Sequence, residues 1–296
     1  MDAATTTQNG LEATSHKRGN DLVRRFFRHP TGVLGLAIVV FLVLISVLAP
    51  VLKPYDARRD RDLRARLSPP SAERWFGADE LGRDNFTRVL HGGRISLRAG
   101  LIAVAFAVVI GTLLGLIAGY VGGWLDTVIV WLVDILLAFP GILLAIAIVA
   151  TLGPNLTNAL IAIAITQVPI YTRIVRSVVM QVRQSEYVQA VRALGSGGIR
   201  VVLKHVLPNS LAPLIVQLTL SIGTAILDVA ALGFLGLGAQ PPAPEWGLMI
   251  RDGFSQFLRA PWMSIFPGIA IFLAVVGFNL LGDAIRDILD PRLRNI

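Results

Sequence analysis

Residues 185–209 read SEYVQAVRALGSGGIRVVLKHVLPN, a polar and basic island between two long apolar runs. Ser185 is placed to cap a helix, and Glu186 falls in its first turn, where the helix dipole favours an acid. Tyr187, Ala190, Val191 and Leu194 recur at helical spacing, Gly195 supplies a turn, and Ile199, Val202, Leu203 and Val206 form a second apolar stripe ahead of Pro208. This predicts two short amphipathic helices around a glycine, outside the bilayer and shaped to be gripped by a partner. The ordinary alternative is a loop helix resting on its own membrane domain.

The rest of the chain says what such an island sits in. Of 296 residues, 54% are hydrophobic and only 16% are charged, with a mean hydropathy of +0.67. A soluble domain does not need so much apolar surface, so the class is an all-α polytopic membrane protein. With no cysteine in the sequence, disulfides, iron–sulfur clusters and thiol chemistry are excluded. The net charge of +8 is carried by arginine, with lysine only at 17, 53 and 204. In a membrane protein this excess reflects anionic lipid and topology rather than nucleic acid.

Six charge-poor runs of spanning length follow in order: 31–52, 95–120, 125–152, 156–175, 211–237 and 262–281. Six spans put both termini on one side. The expected organisation is a basic N-terminal segment over 1–30, a first helix over 31–52 and a hydrophilic insert over 53–94. A core of five helices over 95–285 follows, containing the loop 177–210, and 286–296 form the tail. The second span carries Gly111, Gly115 and Gly119 on one face, a ridge that lets helix backbones approach closely. Charge does not orient the chain: with the loop inside, fourteen Lys and Arg lie inside and thirteen outside, so the positive-inside rule is silent.

Little in the sequence suggests bond chemistry. The four histidines, at 16, 29, 91 and 205, have no metal-ligand spacing, no Gly-rich phosphate loop is present, and none of the three lysines follows a glycine. What remains are polar groups within apolar runs, each costly in hydrocarbon unless it faces a bundle interior or water. Asp228, halfway along the fifth span, is the leading pathway candidate, followed by Asp134 and Gln167. The ordinary alternative for each is an interhelical hydrogen bond that fixes packing.

Four motifs carry a family resemblance. Gln189-Ala190-Val191, Gly195 three residues later, and His205-Val206-Leu207-Pro208 after nine more resemble the EAA motif of ABC-importer permeases, the loop that docks on the ATPase subunit. Gln189 departs from the family's Glu, Val191 from its second Ala and His205 from its Ile. The run Phe76-Gly77-Ala78-Asp79-Glu80-Leu81-Gly82-Arg83-Asp84, the run GAQPPAPEWG over 238–247, and Leu289-Asp290-Pro291 are similar to segments of the dipeptide, oligopeptide and nickel subfamily, in the same order. The chain is therefore identified as resembling the second, dipeptide-permease-C-like permease of such an importer. The resemblance implies a type I importer permease fold with one extra N-terminal helix, in a bacterial or archaeal cytoplasmic membrane, with both termini cytoplasmic. It implies ATPase coupling through Glu186, Tyr187, Gln189, Ala190, Ala193, Leu194, Gly195, His205, Leu207 and Pro208. It also implies a surface facing a solute-binding protein, to which Asp79, Arg83, Asp84, Pro241, Pro242, Glu245 and Trp246 are assigned. The partners implied are a homologous permease, two ATPases, an extracytoplasmic solute-binding protein and lipid, with no nucleic acid. This chain itself would hold no cofactor; ATP and Mg would be bound by the ATPases.

Three rivals have distinct signatures. A secondary transporter or channel using Asp228 calls for inverted repeats and midplane ion-site carboxylates, and the halves show no convincing symmetry. A membrane enzyme calls for an intramembrane cluster of His, Asp or Glu at ligand spacing. An exporter half calls for an attached nucleotide-binding domain.

Overall fold

The computed structural model describes residues 24–56 and 59–289. The polar N-terminus up to residue 23 and the Asp290-Pro291 part of the tail motif lie outside the described residues. Among the described residues five helices are long and apolar enough to cross a membrane, and a bent pair makes a sixth span if counted as one.

Helix α1 (Pro30–Leu52) starts on a proline, which suits a first turn because its missing N–H has no intrahelical partner there, and ends just before Pro54. Helix α2 (Asn85–Val121) is capped by Asp84, whose carboxylate accepts from the Thr87 N–H at 3.1 Å. It begins ten residues before the expected span and, at 37 residues, is about 55 Å long. Its first turns therefore stand clear of a hydrocarbon layer of about 30 Å.

The third run departs from the single span expected over 125–152. It breaks into α3 (Gly123–Leu137) and α4 (Gly141–Leu152), bent by 93°. The physical cause is Pro140, which has no N–H to donate and biases Phe139 away from helical geometry. Helix α5 (Leu156–Arg183) runs beyond the expected end at 175, and α6 (Glu186–Ala193) follows after a two-residue turn.

The second half of the island is not a separate helix. Helix α7 (Gly198–Val201), a π-turn over Val202–Val206 and α8 (Leu207–Phe234) form one continuous rod from Gly198 to Phe234. The wider π-turn lies immediately before Pro208, where the ordinary helical ladder loses a donor. The short helix α9 (Trp246–Phe254) and the last spanning helix, α10 (Trp262–Leu289), follow.

Helices α2, α5 and α8 make the core, with Ala103, Ala107, Ile163, Val175, Ala225 and Ile226 fully buried. Helix α10 packs between α8 and α1. Lipid tails are as apolar as these side chains, so close backbone approach rather than water exclusion must hold the bundle. The glycine ridge of α2 supplies it. A Cβ at Gly111, Gly115 or Gly119 would fall within 2.5–2.8 Å of atoms of Tyr171, Thr172, Val175 or Val179 on α5.

Candidate functional site

The island 185–209 forms a bracket at one end of the bundle. Ser185 occupies the N-cap position of α6, but its hydroxyl donates back to the Val182 carbonyl at 2.6 Å instead of capping. At the other end, the Gly195 N–H reaches the Arg192 carbonyl at 2.9 Å and the Ser196 N–H reaches that of Val191 at 3.2 Å. These are the paired bonds of a Schellman stop, which calls for a left-handed residue; Gly195 has φ +81°. The bracket is tied down from three sides. The Arg192 guanidinium lies 5.0 Å from the Tyr120 ring centre, Arg183 donates to the Tyr120 carbonyl at 2.9 Å, and Tyr187 meets the His205 ring edge-on at 5.9 Å. Asn209 joins the last pair, donating to the Tyr187 hydroxyl at 3.3 Å and to the His205 carbonyl. Gln189 is spent locally, its amide donating to the Gln184 carbonyl at 3.0 Å.

Burial divides the apolar residues of the bracket differently from the stripes read in sequence. Val188, Val201 and Val206 turn into the bundle and are fully buried. Leu194 is 88% exposed and Ile199 79%, on either side of Gly195, with Tyr187 and Leu203 also outward. A loop helix merely resting on its own domain would bury these. Glu186, Gln189, Ala190, Ala193 and Gly195 are exposed too, and nothing lies within 4 Å of where a Gly195 Cβ would stand. His205, Leu207 and Pro208 lie where the π-turn passes into α8.

At the opposite end, the two hydrophilic stretches interlock into an outer cap. Phe76 stacks on Phe266 at 3.8 Å, the Trp262 indole donates to the Ala78 carbonyl at 3.1 Å, and the Asn85 amide donates to the Trp262 carbonyl at 3.1 Å. Here the structure corrects four assignments. Asp79, Arg83, Glu245 and Trp246 were expected to face a binding protein, but all four are buried. Asp79 accepts from both Arg83 Nε and Arg88 Nη1 at 2.6 Å, and Arg88 Nη2 lies 3.6 Å from Asp252 on α9. Glu245 caps α9, accepting from the Gly247 and Leu248 N–H groups at 2.9 and 2.8 Å and from the Ser96 hydroxyl of α2 at 2.9 Å. The Trp246 indole donates to the Val89 carbonyl at 2.9 Å. These residues hold the cap together, because a buried carboxylate or indole N–H must find its partners inside. Burial pushes the Glu245 and Asp252 carboxyls above their ordinary range; hydrogen bonds oppose this at Glu245, and Arg88 and Arg83 oppose it at Asp252. Pro241 and Pro242 do face outward, and Asp84 is partly exposed as the cap of α2.

The intramembrane candidates are scattered rather than gathered. Gln167 is buried in α5 with its Oε1 unpartnered among the described residues. Asp228 is partly buried and continues a polar line along α8, Gln217, Ser221 and Thr224 preceding it at helical spacing; Gln217 donates to the Ser221 hydroxyl at 3.0 Å. Asp134 is ion-paired with Arg173 at 2.6 Å, and about one turn further along α5 Arg176 is paired with Asp126. The sequence reading counted the two arginines as loop charges and did not anticipate their ion pairs with α3. The available signal was their i, i+3 spacing on the same helix as the candidate Gln167.

Residues 111–295 match the family described as binding-protein-dependent transport system inner membrane component. Residues 18–70 match the N-terminal transmembrane domain of oligopeptide transport permease C. The chain is 53% identical over 268 residues to the dipeptide transport system permease protein DppC of Alkalihalophilus pseudofirmus, covering 90% of this chain and 88% of that one. It is 46% identical over 271 residues to the glutathione transport system permease protein GsiD of Shigella flexneri serotype 5b, covering 92% and 89%. In fold it is similar to a chain of the MetNI methionine ABC transporter in inward-facing conformations. The TM-score is 0.56 at 18% identity, over 68% of this chain and 96% of that one.

Proposed function

The chain belongs to the binding-protein-dependent transport system inner membrane components, and from that premise we propose that it imports a short peptide, driven through the bracket around Gly195. It is a multi-pass permease subunit of an ABC importer and is not itself an enzyme; ATPase subunits and a binding protein are its partners. The finer reading is a heterodimer with a related permease, two ATPases on the cytoplasmic face, and a binding protein on the outer cap. Both termini and the bracket lie in the cytoplasm, and ATP and Mg are held by the ATPases alone. ATP-driven closure of the ATPase pair moves the docked bracket, and because Gly198–Phe234 is one continuous rod, that movement reaches the bilayer without a hinge at Pro208. The cavity between the permeases opens outward, and hydrolysis resets it, a rigid-body switch.

The observation that carries this is the exposure of Leu194 and Ile199 beside a glycine in the left-handed conformation. Dipeptides are the leading solute and glutathione the second, following the two relatives; both are small zwitterionic peptides. The test is a mild-detergent pull-down of the tagged chain with mass spectrometry of its companions. A second permease and ATPase subunits are expected. A stable homo-oligomer without any ATPase would overturn the reading.

A further inference from the structure

The two ion pairs between α3 and α5 differ in geometry and in exposure. The inner pair is closed: Arg176 Nε and Nη2 meet the two oxygens of Asp126 at 2.5 and 2.7 Å, with the side chains 30% and 21% exposed. The outer pair is open. Arg173 reaches Asp134 by Nη2 alone, and the two side chains are 58% and 50% exposed. A guanidinium carries five N–H donors in a planar fork and a carboxylate has two acceptor oxygens. In this pair the remaining donors of Arg173 and the second oxygen of Asp134 have no partner among the described residues.

The depth of the pair matters. Helix α5 has no charge from Leu156 to Thr172, so Arg173 closes an uncharged run of about 26 Å, within a turn of the far edge of a hydrocarbon layer of about 30 Å that begins at Leu156. Asp134 lies about 16 Å past the start of α3. Charges at such depth do not face lipid; they face a bundle interior or a water-filled cavity. Ile170 and Ser177 are exposed on the same side of α5 as Arg173, with Thr166 partly buried; the Thr166 and Ser177 hydroxyls donate to the Ile163 and Ile174 carbonyls of the same helix.

We propose that Asp134 and Arg173 form a contact site for the two charged ends of a short peptide crossing the membrane. Arg173 takes the carboxylate and Asp134 the ammonium. The chemistry is an exchange: one internal ion pair opens and two pairs with the zwitterion replace it, so no uncompensated charge is left in a low-dielectric path. The termini of an extended dipeptide are about 7 Å apart, a separation two side chains on neighbouring helices can straddle once parted. The open, single-bond geometry allows this parting, whereas the closed Asp126–Arg176 pair holds the helices in register meanwhile. This site rests on the importer reading above.

The test uses the complete importer with its partner permease, ATPases and binding protein. Three versions are compared: the parent, the neutral pair Asp134→Ala with Arg173→Ala, and the exchanged pair Asp134→Arg with Arg173→Asp. Dialanine, N-acetyl-dialanine and dialanine amide are titrated against the nucleotide-free complex without binding protein, by calorimetry in nanodiscs, and uptake is measured in proteoliposomes. Dialanine binding is expected in the parent and at least tenfold weaker binding with either end blocked. The neutral pair is expected to lose binding and at least tenfold of the uptake rate. The exchanged pair is expected to co-purify with its subunits like the parent but still lack parental uptake, since its charges face the peptide in reverse. Parental uptake in the exchanged pair would overturn the site, because it would make the pair a structural staple or a permease–permease contact. Equal binding of the blocked peptides would also overturn it. A parent complex that fails to link uptake to ATP would instead refute the importer reading itself.

Discussion

Replacing Gly195 by aspartate separates docking from folding. The residue has φ +81°, where an L-residue costs about 1–2 kcal/mol, with Asp at the lower end. No atom lies within 4 Å of the new Cβ, so the strain stays in the loop and the helices insert as before. In a docked complex the added carboxylate would sit between Leu194 and Ile199, where desolvating it costs at least about 2–3 kcal/mol. The strain is common to the free and docked permease, so the desolvation of about 2–3 kcal/mol sets the effect, a thirtyfold or greater loss of ATPase docking. Gly195→Ala carries the strain without the charge and is expected to dock close to the parental affinity, while Gly197→Asp adds a charge at a residue with ordinary φ of −64°. Uptake, ATP hydrolysis and co-purification of ATPase, each normalised to permease in the membrane, read the series. Uptake at the parental rate by a Gly195→Asp chain present at normal level would refute the reasoning.

Other consequences are local. Glu245→Ala strips three donors of their acceptor in the outer cap and is expected to destabilise it by about 2–4 kcal/mol. Faster hydrogen exchange over 246–254 would register this, and unchanged protection would contradict the capping role. Glu245 and Asp252 have raised carboxyl pKa values, so their contribution to the cap is fully present below the ordinary carboxylate range and lost as pH rises through the raised values. Protection factors for α9 should therefore increase on mild acidification from neutral pH, and a decrease would contradict the assignment. Gly115→Leu places a Cβ 2.7 Å from the Thr172 carbonyl and should cost at least about 1–3 kcal/mol by overpacking, whereas Gly141→Leu, with nothing nearer than 4.0 Å, should leave thermal melting in detergent unchanged.

Most spans and the stop at Gly195 were legible because hydrocarbon thickness and helix pitch act locally, whereas the second stripe of the island was read as a short helix of its own and is the start of the rod Gly198–Phe234. The break at Pro140 was harder to see because hydropathy is equal on both sides of it, although Phe139-Pro140-Gly141 is a stop and restart in residue terms. Glu245 was assigned outward from the resemblance of GAQPPAPEWG to the family's segment; its partner Ser96 lies far away in sequence, on a different helix. Arg173 and Arg176 were counted as loop charges because they stand at the end of an uncharged run. Each is offset by an aspartate on α3, and no local pattern records such a pairing.

In the proposed coupling, the surface around Gly195 is where the ATPase grips. Because the chain has no cysteine, a single Leu194→Cys variant gives one unambiguous attachment point for a short photo-crosslinker. In the assembled importer the account expects a crosslink to the ATPase subunit, with a yield that changes when ATP is added, and protection of that cysteine from a soluble maleimide. A cysteine equally reactive with and without bound ATPases, and crosslinked to none of them, would contradict it.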